Sequence, residues 1–468
     1  MFAILNNRNQ VTNVMQKKSK SYEIDMLNGP LFIKLWQFAI PLMLTGILQL
    51  LFNAADMVIV GRFTGADALA AVGSTTVLIN LLTTLFIGIS VGSNILVARY
   101  FGSGNKKAIC ETVHTSILAA IICGFLIMLI GLFCGKDALV LMNTDKRVLD
   151  DATLYIRIYF LGMPFTTIFN FGTAILRASG DTKRPLYFLI LSGVLNVFLN
   201  IIFVTIFNMG VVGVAVATII SQCLAATLVV SCLVKSNGDI KLTFKNLKIS
   251  TSKLKLMLQV GIPAGIQSAI ISFSNVLIQS SVNSFGADVM AANAAASNID
   301  GFCYVASNAI TQTAMSFIAQ NVGAGNNKRI RSIAKQCILI STILGETLGL
   351  LVFTFRIPLL NMFNTNPEVI KYGAIRLIIM CTPYCLLSIM DLFSGFLRGI
   401  GSSITPMIIT ITGTCLFRIL WIYTIFTKIH TYSFLLISYP ISWIITIIPQ
   451  AICFIILLKR KFPIKKAL

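Results

Sequence analysis

Leu176-Arg177-Ala178-Ser179-Gly180-Asp181-Thr182-Lys183-Arg184-Pro185 separates two apolar blocks, and its frame returns 221 residues later as Leu397-Arg398-x-x-Gly401 with Pro406. On its N-terminal side, Gly65-Ala66-Asp67 returns as Gly286-Ala287-Asp288, and Gly102-x-Gly104-Asn105 as Gly323-x-Gly325-Asn326, again at 221. Arg157 and Pro164 match Arg376 and Pro383 at 219, and Ile40-Pro41 matches Ile262-Pro263 at 222. One such match would be chance. Five in register across almost the whole chain indicate that it arose by duplication of one unit.

The blocks between these turns are 20 or more residues long and apolar, the length that crosses about 30 Å of hydrocarbon at 1.5 Å per residue. The 468 residues are 56% hydrophobic and only 11% charged, where a soluble domain carries about 25% charged residues, and the mean hydropathy is +0.86. Such a chain lacks the polar residues to cover a water-facing surface. A β-barrel would alternate apolar and polar residues over segments of about ten, and these blocks do not. The expected fold is therefore an all-α integral membrane protein. Its twelve spans lie near 36–60, 68–98, 109–134, 151–175, 185–206 and 211–234, then 256–284, 289–319, 333–355, 370–396, 404–426 and 433–458. Six spans per repeat is an even number, so both halves enter from one side. Two six-helix lobes are then related by a pseudo-two-fold axis along the membrane normal, with the substrate between them. The expected organisation is an N-terminal segment 1–35, a first lobe 36–234, a polar linker 235–255, a second lobe 256–458 and a tail 459–468.

With the N-terminus inside, 27 of the 37 Lys and Arg fall on the inner side. Seven fall outside (Arg62, Lys136, Lys146, Arg147, Arg356, Lys371 and Lys428), and Arg157, Arg376 and Arg418 lie within or at the ends of spans. By the positive-inside rule both termini are cytoplasmic. The net charge of +21 is read as this bias, not as a nucleic-acid surface, because no basic stretch carries interleaved aromatics on a soluble domain. The N-terminal stretch with Lys17, Lys18 and Lys20 lacks the apolar core of a signal peptide. Eleven cysteines are scattered without a CxxC, and His114 and His430 are far apart. They read as buried hydrophobes and lone histidines, not as disulfides or metal ligands.

An ionisable residue inside a span costs roughly 2.5–3.5 kcal/mol on insertion scales, so each is a functional candidate. Gln49, Asn53 and Asp56 stand at i, i+4 and i+7, one face of the first helix. The fifth span carries Ser192, Asn196 and Asn200, and the sixth carries Thr218, Ser221 and Gln222. Taken alone such residues are more often interhelical hydrogen-bond partners than ligands. The seventh span shows Ser268, Ser272, Asn275 and Gln279 on one face with Gln267 at its edge, and the eighth shows Asn293, Ser297 and Asp300. Glu346 and Asp391 lie inside the ninth and tenth. None of these three carboxylates has a basic partner close in sequence. Each therefore faces water, finds a partner in space or is protonated, and each is a cavity candidate together with Gln49, Asn53, Gln267, Asn275 and Gln279. The Gly102-x-Gly104 and Arg177–Pro185 turns lack the Walker spacing and the strand before it. No ATP-binding signature is present, so energy for transport would come from an ion or substrate gradient.

Over nearly its whole length, from about Leu27, the chain resembles the multidrug and toxic compound extrusion (MATE) family. The resemblance is carried by Ile40-Pro41, Phe52-Asn-Ala-Ala-Asp56, Gly65, Ala70-Ala-Val-Gly73 and Arg177–Pro185, and by Gly213-Val-Ala-Val-Ala-Thr218, Gln320–Gly325 and Leu397–Gly401. It implies a V-shaped pair of six-helix lobes exporting cationic, amphipathic compounds in exchange for protons or sodium. It further implies that Asp56 binds the coupling cation, a proton or a sodium ion, assisted by Asn196, Asn200 and Thr218. The family pattern has an Asp where this chain has Asn200, which can coordinate or hydrogen-bond but carries no charge. Asp56 would then act alone, or Asp300, Glu346 and Asp391 of the second lobe would share the task. The implied partners are a small-molecule substrate and the bilayer of a bacterial inner membrane, around a monomer with no cofactor. A lipid or lipid-linked oligosaccharide flippase of the same superfamily is the alternative; it would hold pyrophosphate with basic residues in its cavity, for which Arg157, Arg376 and Arg418 are the candidates. A membrane-embedded enzyme would need a nucleophile–base or metal constellation, and none is found.

Overall fold

In hydrocarbon no water satisfies a backbone N–H or C=O, so each apolar block closes its hydrogen bonds within itself as a helix. The computed structural model describes residues 22–142, 144–236 and 238–463, and among them there is no strand. Lys17, Lys18 and Lys20, with most of the expected N-terminal segment and the last five residues of the tail, lie outside the described residues. The first lobe consists of α1 (Leu31–Phe63), α2 (Ala66–Gly102), α3 (Lys106–Leu141), α4 (Leu149–Leu161 with Met163–Ala178), α5 (Lys183–Ile206) and α6 (Gly210–Lys235). The second consists of α7 (Thr251–Asn283), α8 (Ala287–Gly323), α9 (Asn327–Asn361), α10 (Pro367–Cys381 with Tyr384–Gly399), α11 (Ile404–Phe426) and α12 (Tyr432–Lys461). A 3-10 turn, Phe244–Asn246, lies in the connection between the lobes.

Nine of these helices are singly long and apolar enough to cross a membrane, and the two bent ones raise the number to eleven. The exception is α8, which has 37 residues but a wealth of Asn, Ser, Gln and Thr. It spans because it lies inside the protein, against α1, α2, α9 and α10. Its polar side chains find protein partners: Gln320 donates to the Ala178 carbonyl at 2.8 Å, Asn321 to that of Met26 at 3.2 Å, and Ser316 to Asn94 Oδ1 at 3.1 Å. Such partners remove the cost of carrying polar groups at membrane depth.

The duplication is visible in the backbone. α4 bends by 47° and α10 by 49°, beside Pro164 and Pro383. A proline lacks the N–H that would continue the ladder and clashes with the preceding turn, so a kink at this place in both halves has one cause. Gly180 and Gly401 hold φ of +104° and +87°, a region open to glycine at no steric cost, and so the same turn closes both repeats.

The lobes meet at the end that carries both termini, and α2 stays packed on α7 from there as far as Gly88 and Gly265, which touch backbone to backbone. A Cβ on Gly102 would run into the carbonyl oxygen of Gln320, and one on Gly323 into that of Arg99. These reciprocal contacts join the 221-residue pair itself, so the pseudo-two-fold axis passes between them. Arg177 at the end of α4 donates to Gln312 of α8 across the same junction. With no room for a side chain, Gly102→Val forces the helix ends apart. Overpacking of this kind costs about 1–3 kcal/mol, and the expected result is an unfolding midpoint several degrees lower for the purified protein. An unchanged midpoint would show that the junction is loose.

Candidate functional site

The sixteen residues from Leu186 to Ile201 place Asn196 and Asn200 one turn apart on α5, facing α1 and α6. There the two asparagines tie Asp56 to Thr218. Asn200 Nδ2 donates to Asp56 Oδ1 at 2.5 Å and to Asn196 Oδ1 at 3.2 Å. Asn196 Nδ2 reaches Thr218 Oγ1 at 3.4 Å, and Thr218 donates to the Val214 carbonyl at 2.9 Å. Asn200 is wholly buried and Asn196 nearly so. Asp56 is half-buried, and its partner is a neutral amide. The Asn200 carbonyl oxygen is buried with no donor facing it. Immediately after Asn200, α5 loosens into a π turn, Ile202–Ile206, a feature frequent at functional sites. Tyr155 and Tyr159 of α4, stacked at 6.0 Å, pack in the cluster around Ile59 and Val60, just beyond Asp56 on α1. The expected set of Asp56, Asn196, Asn200 and Thr218 is thus contiguous. It offers oxygen ligands, the donor type that suits a hard monovalent cation.

Gln49 and Asn53 are not joined to that chain. They are exposed, on the face where Gly46 meets Val305 of α8, so they look across the gap between lobes.

In the second lobe a cavity of about 560 Å³ is lined by Ser268, Asn275, Gln279, Asp300, Asp391, Arg376 and Arg418, with Thr84 of α2 as its contact with the first lobe. Gln279 and Asn293 bring it within two turns of the ends of α7 and α8 at the face opposite the termini. Arg376 Nη2 lies 3.7 Å from Asp300 Oδ2, and its Nη1 donates to Asn293 Oδ1 at 2.7 Å. Asn293 in turn donates to Gln279 Oε1 at 2.7 Å. Arg376 is therefore a cavity-wall residue well inside α10 and not a marker of where a span begins, and Asp300 has found its cation in space. Arg157 is exposed and away from the cavity wall.

Besides Gln49 and Asn53, two further expected cavity residues lie off its wall. Gln267 is buried between helices, donating to Thr410 at 2.9 Å and accepting from Arg398 Nη2 at 2.8 Å. One residue further on, Ser268 points into the cavity, since each helical step turns by about 100°. Glu346 is half-buried on α9, a helix packed chiefly on α8 and α10 at the outside of the lobe.

Two related helical bundles, each with a polar site at membrane depth and joined at one face, define a membrane transporter of the parallel-repeat kind. The MatE family profile matches residues 41–202 and again 263–424, the same unit twice, and the chain belongs to that family. It is similar to the probable multidrug resistance protein YoeA of Bacillus subtilis, at 30% identity over 381 residues, covering 80% of this chain and 82% of that one. It is similar to the probable multidrug resistance protein NorM of Thermotoga maritima, at 27% over 390 residues, 81% of this chain and 82% of the relative. Among solved structures, an outward-facing multidrug resistance MATE family transporter superposes with a TM-score of 0.86 at 22% identity, covering 93% of this chain and 97% of that one.

Proposed function

We propose that the chain exports small amphipathic compounds, multidrug substrates among them, in exchange for a proton or sodium ion bound at Asp56. The observation that carries this reading is the Asp56–Asn200 contact with its orphaned carbonyl. In the state described, the Asn200 amide serves the carboxylate through its N–H, and its oxygen is left with nothing. A buried acceptor without a donor costs about 1–3 kcal/mol. A sodium ion beside Asp56, or a proton on it with the amide turned over, would supply what that oxygen lacks. An amide can serve both the empty and the loaded carboxyl group, and in this way Asn200 replaces the family's second carboxylate.

The bias of Lys and Arg supports cytoplasmic termini in a bacterial inner membrane. The closed junction at the terminal face supports an outward-open form on that orientation, in which the ion enters from outside and favours the return of the lobes. One charge crossing 100 mV contributes about 2.3 kcal/mol, equivalent to roughly fifty-fold accumulation. The flippase alternative has less support: of its three candidate arginines, Arg376 is neutralised by Asp300 and Arg157 lies outside the cavity.

The test is efflux of a fluorescent cation from proteoliposomes under an imposed proton gradient and then a sodium gradient. Export driven by neither would sink the reading. In the same assay Asn200→Asp is expected to keep gradient-driven export. Asn200→Leu, which removes a charge-assisted bond of about 1.5–3 kcal/mol, should slow it by about tenfold or more.

A further inference from the structure

We propose that the second-lobe cavity is a binding site for the anionic group of an amphipathic aromatic compound, held by Arg418. Arg418 is 3% exposed and lines the cavity from α11. It sits between two π turns, Ile411–Leu416 and Ile422–Phe426. Its neighbours are neutral: Nε donates to Ser442 Oγ at 3.0 Å, Nη1 approaches Asn275 Oδ1 at 3.5 Å, and the guanidinium lies 4.0 Å from the Tyr439 ring centroid.

A guanidinium cannot discharge itself, and holding one at this depth without a counter-ion costs several kcal/mol. The other cavity charges do not supply one. Asp300 is engaged by Arg376, and Asp391, though on the same wall, forms no ion pair among the described residues, either with Arg418 or with Arg398 two turns on. Arg418 is therefore without an ion-pair partner among the described residues, in a cavity of about 560 Å³, within the roughly 300–1,000 Å³ that holds drug-sized ligands. The ring of Tyr439 covers one face of the guanidinium and leaves its N–H edge available. That edge matches a carboxylate, sulfonate or phosphate in bidentate fashion. Tyr304, Tyr439 and Trp443 in the same wall suit an aromatic body.

The duplication sharpens the point. At the 221-residue offset the position matching Asn196 is Phe417, and Arg418 is the next residue. Where α5 presents amides to a carboxylate, α11 presents a guanidinium. The two lobes thus take groups of opposite charge.

Binding at this site does not depend on the export reading; only its consequence, that anionic or zwitterionic amphiphiles are carried, rests on that reading. The test is fluorescence anisotropy of the purified full chain in detergent with two aromatic probes, anionic 5-carboxyfluorescein and cationic ethidium. Carboxyfluorescein is expected to bind, to bind at least tenfold more weakly to Arg418→Met, and to lie between the two for Arg418→Lys, while ethidium loses no affinity. Asn275→Asp supplies an internal carboxylate 3.5 Å from the guanidinium and should weaken carboxyfluorescein in the same way; it carries the test if Arg418→Met does not elute as a monodisperse species. The proposal is overturned if folded wild-type protein does not bind carboxyfluorescein, if these variants leave its affinity unchanged, or if both probes weaken together. No gradient enters the titration, so failure of coupling at Asp56 leaves its result readable.

Discussion

Asp56→Asn is expected to abolish gradient-driven export, a fall of a hundredfold or more in proteoliposomes, while the purified protein keeps its helix content and elution. The asymmetry follows from what the side chain touches. Asp56 accepts one bond from Asn200 at 2.5 Å, and an asparagine oxygen in the same place accepts it too. The exchange of a charge-assisted for a neutral bond costs only about 1 kcal/mol. What disappears is the negative charge, and with it the preference for a proton or sodium ion on which coupling depends. A ligand with no differential affinity for two states cannot shift the balance between them. Exchange of labelled substrate across the membrane in the absence of any gradient is therefore expected to survive. Gradient-driven export by Asp56→Asn at the wild-type rate would move coupling to the second lobe, with Asp391 as the next carboxylate to replace.

The spans were legible because hydrocarbon thickness imposes a length and the duplication supplies punctuation. Even α8, too polar to pass on hydropathy, is bracketed by Gly286-Ala287-Asp288 and Gly323, which repeat the ends of α2. Pro164 and Pro383 stood out as matching positions of the repeat, but the bends beside them are seen only in the backbone. The sites were legible only in part. Helical spacing put Gln49, Asn53 and Asp56 on one stripe, but a stripe does not say which neighbour each residue meets. Asp56 reaches α5, while the other two look across the gap between lobes. A single step separates Gln267, locked between Thr410 and Arg398, from Ser268 in the cavity. The pairing of Asp300 with Arg376 joins residues on different helices, which no periodicity connects. Arg418 stood among three candidate cavity arginines, but its facing could not be read, since the π turns of α11 change the winding and leave no trace in a 3.6-residue register.

Asp300→Ala should lower stability by about 3–5 kcal/mol, the usual cost of stranding one partner of a buried ion pair. Arg376 is 7% exposed, and without Asp300 its remaining side-chain partner is Asn293 at 2.7 Å. The pair itself is imperfectly satisfied: its closest approach is 3.7 Å, and both Arg376 Nε and Asp300 Oδ1 are buried without a hydrogen bond. For such a pair the cost of taking two charges out of water nearly offsets their attraction, so removing both should be far milder than removing one. Asp300→Leu combined with Arg376→Met is therefore expected to recover most of the stability lost in Asp300→Ala. Thermal unfolding of the two single variants and the double variant gives the coupling energy directly. If the single variants lose nothing, water reaches these charges and they are not a buried pair. If the double variant is as unstable as the sum of the singles, each residue holds the wall of the cavity through contacts of its own.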